Sequence, residues 1–328
     1  MKVCNGIDTF SPPPGGITLT IGNFDGVHRG HRDIIRTARK AAAESHTPLV
    51  AMTFEPHPMA AVAPDRAPAR LVTLGEKLSL LSLCGVEACM VVRSEPALLE
   101  QSAETFLSNL SRRCRPQVIV EGLDFNFGRG REGSVQTLHD FAPRLGFSVR
   151  VVETTRCDEL PGAPAVRSSA IRTALSEGRI GAAAAMLGRP HRIVGTVIRG
   201  AGRGLSLGFP TANLDGIPHL LPQQAVYAAA AQFEDGTLHL AVVNVGPQPT
   251  FGQSTPQVEA HVPNWSGALV GQRLGLHFLA MLREQARFAN AAELATQLGR
   301  DVAAARAYAG DVQELERRPR IPLGAHNR

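Results

Sequence analysis

Residues 17–31 read Ile-Thr-Leu-Thr-Ile-Gly-Asn-Phe-Asp-Gly-Val-His-Arg-Gly-His, an apolar run followed by a glycine-containing turn. The apolar run predicts a buried strand, and Ile34, Ile35, Ala38 and Ala42 lie at helical spacing just behind the turn. The stretch therefore predicts one strand–turn–helix unit. Such units build doubly wound α/β domains, whose ligand crevice lies at the carboxyl ends of the parallel strands.

The rest of the first half repeats this alternation of short apolar runs and helical patterns. Further strands are predicted at residues 49–54, 88–92, 118–120 and 149–152. Helices are predicted around residues 74–83, 103–114, 135–145 and 169–176. Five strands separated by helices indicate a Rossmann-like α/β domain with a parallel sheet.

Near residue 187 the pattern changes to short β-like runs with frequent glycine and proline. These runs lie at residues 193–198, 226–233, 238–245, 258–262 and 274–278. One helix follows, with apolar residues at positions 291, 294, 298 and 302. The second half is therefore predicted to be a β-barrel with a C-terminal helix. The predicted division of the chain is 1–186, 187–314 and a basic disordered tail at 315–328.

Charge and composition narrow the class of protein. Of the 328 residues 44% are hydrophobic and 19% are charged, which excludes collagen-like, coiled-coil and wholly disordered chains. Four arginines follow the last acidic residue, Glu316, so the net charge of +5 falls to +1 over residues 1–316. A nearly neutral body argues against nucleic acid as a partner, because such binding needs a basic face on the fold.

The cysteine pattern and the first residues of the chain predict the cellular compartment of the protein. The five cysteines are odd in number and form no Cys-x-x-Cys pair, which predicts free thiols. No stretch approaches the ~18 apolar residues of a membrane span, and the first residues lack the apolar core of a signal peptide. We expect a cytoplasmic protein with no membrane partner.

Two histidines follow the first strand at the predicted start of a helix. His28 and His31 can converge on one anion together with the free amides of the helix N-terminus, and Gly30 keeps the backbone close. Polyphosphate fits such a site, because imidazole donors can stabilise the charge that develops during in-line displacement. Zinc is not favoured, since no second His/Cys cluster occurs at ligand spacing.

A second group of chemically useful residues lies in the β-rich half. The glycine-rich residues 200–204 are followed by Thr211 and Asn213, which can offer oxygens to Mg²⁺ beneath a phosphate-covering loop. The chain has no Walker P-loop.

These stretches resemble the bacterial bifunctional riboflavin kinase/FAD synthetases, and the resemblance runs over nearly the whole chain. It is carried in the first half by residues 21–31, 54–58, 122–128 and 168–172, and in the second half by 208–213, 244–251 and 258–261. Residues 208–213 read Gly-Phe-Pro-Thr-Ala-Asn, which is the most specific of these motifs.

The resemblance implies two activities that use riboflavin, FMN and ATP, with Mg²⁺ accompanying ATP. It implies catalytic roles for His28, His31 and Glu259, the last as the base. The implied nucleotide-binding residues are Gly22, Asn23, Phe24, Asp25, Gly30, Ser168, Ser169, Arg172, Gly204, Thr211 and Asn213. The implied flavin-binding residues are His57, Asp124, Phe125, Asn126 and Arg283, and the implied metal ligands are Thr211 and Asn213.

Departures from the family pattern leave other functions open. The departures all lie in the second half, where charged or aromatic residues common in the family are replaced by Leu205, Gln248, Ala268, Val270 and Gln285. An FMN adenylyltransferase with a degenerate kinase module is therefore the first alternative.

The second alternative is an NAD(P)-dependent oxidoreductase. Residues 128–133 match Gly-x-Gly-x-x-Gly, and Glu153 follows at about the distance typical of a dinucleotide-binding fold. Several residues separate the predicted strand 118–120 from the first glycine, however, and that spacing disfavours this alternative.

Overall fold

The computed structural model describes residues 1–200, 203–247 and 256–323. The chain forms two compact units. The first holds Met1–Ala69 and Lys77–Val166, and the second holds Arg70–Glu76 together with the chain from Arg167 onward.

The first unit is built on a parallel six-stranded sheet. Its strands are β1 (Lys2–Asn5), β2 (Ile17–Ile21), β3 (Leu49–Phe54), β4 (Ala88–Val92), β5 (Pro116–Gly122) and β8 (Ser148–Val152), and β6 (Asn126–Phe127) and β7 (Gly133–Ser134) form a small separate hairpin. The sheet order is β1-β4-β3-β2-β5-β8. The predicted Rossmann-like parallel sheet is therefore confirmed, with one additional edge strand, β1.

Helices cover this sheet, and the central strands β2 and β3 are buried along almost their whole length. The helices are α1 (Arg29–Glu44), α2 (Pro58–Val62), α3 (Leu74–Leu83), α4 (Pro96–Leu99), α5 (Ala103–Cys114) and α6 (Val135–Leu145). The apolar side chains of α5 and α6 pack with Ile17, Leu19 and Ile119 in one core. Ile35 and Ala38 of α1 are also buried.

The second unit contains a closed antiparallel barrel. Its elements are α7 (Ser168–Ser176), α8 (Ile180–Leu187), β9 (His191–Ile198), α9 (Arg203–Ser206), β10 (Thr211–Asp215), β11 (Ala225–Gln232), β12 (Leu238–Pro247), β13 (Pro256–His261), β14 (Arg273–Glu284), α10 (Ala291–Ala305) and α11 (Ala309–Glu316). The barrel order is β10-β13-β12-β11-β14-β9. The predicted barrel with a C-terminal helix is confirmed. Val302 and Ala305 of α10 pack with Val226 and Val242 of the barrel.

The division between units differs from the boundary expected at residue 186. Helices α7 and α8 belong with the barrel, where the amide of Gln223 donates to the carbonyl of Leu175 at 2.9 Å. Residues 70–76 also belong there, because the buried carboxylate of Glu76 accepts from Arg192 at 2.6 Å and lies 2.6 Å from His219 Nε2.

The C-terminal segment is ordered further than the predicted disordered tail allows. Helix α11 continues to Glu316, the carbonyl of Ile321 accepts from Arg192 at 2.7 Å, and Leu323 is buried. The basic composition of this segment predicted exposure to solvent, but these apolar and backbone contacts attach it to the barrel unit.

All five cysteines carry free thiols, as predicted. Burial raises the pKa of the Cys89 and Cys114 thiols to about 12. In the ranges that the structure describes, no helix is long and apolar enough to span a bilayer.

Candidate active sites

The carboxyl end of β2 is the switch point of the sheet. Strands β3 and β4 lie on one side of β2, and β5 and β8 lie on the other. Pairing with β3 continues to Ile21, whereas pairing with β5 stops at Leu19. The two sides diverge there, and such a divergence forms the ligand crevice of a doubly wound sheet.

His28 and His31 are brought together at the start of α1, directly beside this crevice. His28 is the N-cap residue, and its Nδ1 accepts from the amide of His31 at 3.3 Å. The two rings stack with their centroids 3.6 Å apart and their planes 15° from parallel. Because Nδ1 accepts, a neutral His28 carries its proton on Nε2, and an imidazole N–H of this kind can donate to an anion.

The loop before α1, which leads into these two histidines, has a strained backbone. Phe24 has φ +46° and Val27 has φ +39°, although neither is glycine. A positive φ is a costly conformation for a β-branched residue, and strain of this kind is concentrated at functional sites. At Gly30 a Cβ atom would lie 3.2 Å from the carbonyl of Val166 and 3.3 Å from the His28 ring, so any larger residue would push these neighbours away by a few tenths of an ångström.

The ends of β2 and β3 are joined by side-chain hydrogen bonds. The side-chain amide of Asn23 lies 3.2 Å from His57 Nε2. Thr53 Oγ1 donates to the carbonyl of Asn23 at 3.2 Å, and Lys77 Nζ donates to Thr53 Oγ1 at 3.3 Å. His57 caps α2 by accepting from the amide of Met59. The structure therefore places two predicted site residues, Asn23 and His57, in one network.

The predicted flavin-binding loop follows β5, the strand on the other side of the crevice. Phe125 is half-buried and stacks on Phe127, with ring centroids 5.3 Å apart, while Asp124 and Asn126 are exposed. The side-chain amide of Asn126 donates to the carbonyl of Asp124 at 2.7 Å. A partly exposed aromatic ring between two exposed polar residues can contact a flat ligand.

The glycine motif at residues 128–133 does not form a dinucleotide-binding turn. Strand β5 ends at Gly122, before the motif begins, and Gly128 is followed by a short 3₁₀ turn. Gly133 lies in β7 rather than in a helix. The oxidoreductase alternative therefore lacks the strand–turn–helix geometry it needs.

Three predicted phosphate-binding residues lie on α7, in the second unit. Ser168 and Ser169 occupy the first turn of this helix, and Arg172 lies one turn later. Ser169 is exposed, and Ser168 and Arg172 are half-buried. The free amides of a helix N-terminus and an arginine are suited to phosphate binding.

In the barrel the three predicted kinase residues lie on two paired strands. Asn213 on β10 is directly opposite Glu259 on β13, and Glu259 is in turn opposite Asn244 on β12. Thr211 lies two residues from Asn213, so its side chain is on the same face of β10. At Gly200 a Cβ atom would be 2.1 Å from Asn213 Nδ2, so Gly200 packs closely against the Asn213 side chain.

The oxygens of this row fit a divalent cation that arrives with a nucleotide. Thr211 is exposed and Asn213 is 9% exposed, and both offer neutral oxygen donors from one face of the strand. Among the described residues no group of three His, Cys, Asp or Glu side chains could hold a metal by itself. Mg²⁺ is commonly held in this way, by one or two side chains together with substrate phosphates.

Arg283 is already engaged within the barrel unit. Its Nε and Nη2 donate to the two carboxylate oxygens of Asp301 on α10, at 2.9 and 2.7 Å, and its Nη1 donates to the carbonyl of Glu284. The ion pair anchors α10 to the barrel. The predicted contact of Arg283 with flavin remains a prediction.

The residues that depart from the family pattern lie in different kinds of surroundings. Gln285 donates to Asn244 Oδ1 and to the carbonyl of Val245, both at 3.0 Å, and a glutamate could donate neither bond. Leu205, Ala268 and Val270 are exposed. Gln248 lies outside the described residues.

Two buried residues near the crevice escaped the sequence analysis. Lys77 is 5% exposed, and Glu121 is 2% exposed with its Oε1 accepting from the amide of Ile21 at 2.6 Å. No motif marks either residue. A charged residue type within an otherwise apolar strand was the only available signal for Glu121.

The fold and the site geometry are those of a two-unit transferase, in which an α/β unit with a histidine pair at a helix N-terminus precedes a barrel with a Thr-Asn-Glu row. Residues 11–161 match the FAD synthetase family, and residues 187–309 match the riboflavin kinase family. The chain belongs to the bifunctional riboflavin kinase/FMN adenylyltransferase family.

Relatives with this description cover almost the full chain. The protein from Escherichia coli K12 is 35% identical over 312 residues, covering 94% of this chain and 98% of the relative. The protein from Bacillus subtilis is 31% identical over 288 residues, covering 86% and 89%. A crystal structure described as a macrolide-efflux protein from Streptococcus pneumoniae has a TM-score of 0.82 and 24% identity, covering 93% of this chain and 98% of its own, which shows a shared fold alone.

Proposed function

We propose that this chain makes FAD from riboflavin in two steps. The barrel unit transfers the γ-phosphoryl group of ATP to riboflavin, giving FMN and ADP. The α/β unit transfers the AMP group of a second ATP to FMN, giving FAD and pyrophosphate. The observation that carries the proposal is that the His28–His31 stack and the Asn213–Glu259 pair lie within the segments that match the two corresponding families.

In adenylyl transfer the phosphate of FMN attacks the α-phosphorus of ATP, and pyrophosphate leaves. His28 and His31 donate hydrogen bonds to phosphate oxygens and stabilise the charge that develops there. Ser168, Ser169 and Arg172 are assigned to phosphate binding. Asn23, His57, Asp124, Phe125 and Asn126 are assigned to the nucleotide and flavin, with Phe125 offering its ring face.

In phosphoryl transfer the primary hydroxyl of riboflavin attacks the γ-phosphorus of ATP. Glu259 orients this hydroxyl and accepts its proton late in the step. Thr211 and Asn213 hold the nucleotide together with a divalent metal, for which Mg²⁺ is our assignment. When bound, the metal neutralises charge on the phosphate oxygens.

A monofunctional FMN adenylyltransferase is the second candidate, and exposed apolar residues near the barrel loops favour it. Leu205 is 70% exposed and Val270 is 61% exposed, where the family commonly has residues that contact substrate. These changes reduce substrate positioning but leave Thr211, Asn213 and Glu259 in place. We therefore expect a kinase that is slower or binds flavin more weakly, rather than an inactive one.

The test is product analysis with the purified protein, riboflavin, ATP and Mg²⁺. We expect FMN followed by FAD on chromatography, and loss of FMN formation when a chelator removes the metal. A parallel reaction that starts from FMN isolates the second step. FAD from FMN without any FMN from riboflavin would establish the monofunctional candidate, and no product from either reaction would contradict both.

A further inference from the structure

Glu121 is a buried carboxyl that neither proposed reaction uses. It lies on β5, one residue before the strand ends at Gly122, and is 2% exposed. By strand alternation its Cβ faces the same side as that of Ile119, which belongs to the apolar core beneath α5 and α6. Apart from the strand backbone, its hydrogen bond within the described chain is the one from the amide of Ile21, at 2.6 Å.

This hydrogen bond lies at the point where β2 leaves β5. The last paired residues of the two strands are Leu19 and Ile119. The amide of Gly22 donates to Met52 on the β3 side, and consecutive amides of a strand point in opposite directions, so the amide of Ile21 faces β5. The carboxyl of Glu121 therefore accepts the bond that a backbone carbonyl of β5 would accept if pairing continued.

The surroundings of this carboxyl disfavour its ionised form. Burial raises the pKa of Glu121 well above its usual range, and the single amide of Ile21 offsets this only in part. A neutral acid accepts a hydrogen bond without placing an unpaired charge in an apolar core.

We infer that Glu121 is a positioning residue for adenylyl transfer, spanning the gap between β2 and β5 and fixing the start of the loop that carries Asn23 and His28. The loop contains two positive-φ residues, Phe24 and Val27, and a strained loop keeps its conformation only if its ends are held. On the β3 side Thr53 holds the carbonyl of Asn23. On the β5 side Glu121 fixes the loop in the same way, by accepting from the amide of Ile21.

The inference rests on the proposed adenylyl transfer and predicts a specific kinetic pattern. Glu121→Met keeps the length of the side chain but accepts no hydrogen bond. We expect its kcat for FAD formation from FMN to fall about tenfold or more, because small misplacements of catalytic groups are costly. The KM values for ATP and FMN should stay within about threefold, since the binding groups themselves are unchanged.

Three further variants distinguish a positioning role of Glu121 from a general loss of folding. Glu121→Gln still accepts from Ile21 and should retain most of the native kcat. Glu121→Asp is too short to reach the amide and should resemble Glu121→Met, which keeps the test valid if the methionine variant folds poorly. Glu153→Met makes the same chemical change at an exposed position after β8 and should behave like the native protein.

The outcomes distinguish the inference from the function on which it rests. Loss of kcat in the methionine and aspartate variants with rescue by glutamine supports positioning. Native kcat in Glu121→Met or Glu121→Asp would overturn it. Absence of FAD formation in the native protein would instead overturn the proposed adenylyl transfer.

Discussion

The two proposed sites, the histidine pair of the α/β unit and the Thr-Asn-Glu row of the barrel, are both assigned to phosphate groups but are built from different structural elements. In the α/β unit the proposed phosphate donors are two stacked rings at a helix N-terminus, and the loop before them has a strained backbone. In the barrel the functional side chains stand at matching positions on paired strands. The first arrangement depends on local backbone conformation, and the second depends on strand register.

The difference teaches how each site should respond to change. A loop site concentrates its chemistry in a few consecutive residues, so one anchor or one donor controls much of the rate. In the strand site the base remains essential, whereas substitutions around the base and metal positions should weaken binding before they abolish turnover. The following predictions test this contrast, beginning with the largest expected effect.

Glu259→Gln should give the largest loss, in the barrel reaction alone. The amide keeps the shape of the side chain but cannot accept a proton, and removal of a general base typically costs about 10²–10⁴-fold in rate. FMN formation from riboflavin should fall accordingly, while FAD formation from supplied FMN stays at the native rate. Native FMN formation by this variant would exclude Glu259 as the base.

His31→Ala should produce the reverse pattern. Loss of one preorganised donor typically costs about 10²–10³-fold in kcat, so FAD formation from FMN should fall by that factor. Riboflavin phosphorylation should be unaffected. His139→Ala on the exposed face of α6 is the matched control. An equal loss of both activities in a folded His31→Ala protein would contradict the assignment of two separate sites.

Glu76→Ala should destabilise the barrel unit without acting on its chemistry. The substitution leaves Arg192, which is 7% exposed, without its carboxylate, and breaking a buried ion pair from one side costs about 3–5 kcal/mol. Thermal loss of riboflavin phosphorylation should therefore occur at lower temperature than in the native chain. An unchanged unfolding midpoint would show that the network contributes nothing to stability.

Acid should weaken the same unit through His191. Burial lowers the pKa of His191 to about 4, against about 6.5 in an unfolded chain. Below pH 6.5 the unfolded chain binds a proton that the folded chain does not, so stability falls as pH decreases from about 6.5 to 4. Unfolding midpoints measured across this range should decline, and less steeply in His191→Gln. An identical slope in both proteins would assign the acid effect to other groups.

The sequence analysis located elements wherever a buried apolar run or a helical period was strong. Strands β2, β3 and β4 and helices α3, α5 and α6 begin and end where predicted. Strand β1 was missed because only Cys4 of its four residues is buried, and α8 because its run of alanines has no periodicity. No strand was predicted at β10, because Thr-Ala-Asn-Leu-Asp is short and polar at three positions.

The candidate site residues were easier to predict than the buried contacts that position the surrounding elements. Histidines at a helix N-terminus are a local pattern, and local patterns are visible in sequence. Glu121 reaches Ile21 across 100 residues of chain, and Glu76 reaches Arg192 across 116, so neither contact has a local signature. The assignment of residues 70–76 to the barrel unit depends on the second contact and could not be predicted.

A complementation assay tests most directly the claim that one chain holds two separable sites. His31→Ala and Glu259→Gln are each incubated with riboflavin, ATP and Mg²⁺, alone and as a mixture, and the flavins are separated by chromatography. Alone, His31→Ala should stop at FMN and Glu259→Gln should leave riboflavin unchanged, whereas the mixture should form FAD. A mixture of folded variants that forms no FAD, although each retains its own remaining activity, would contradict the claim.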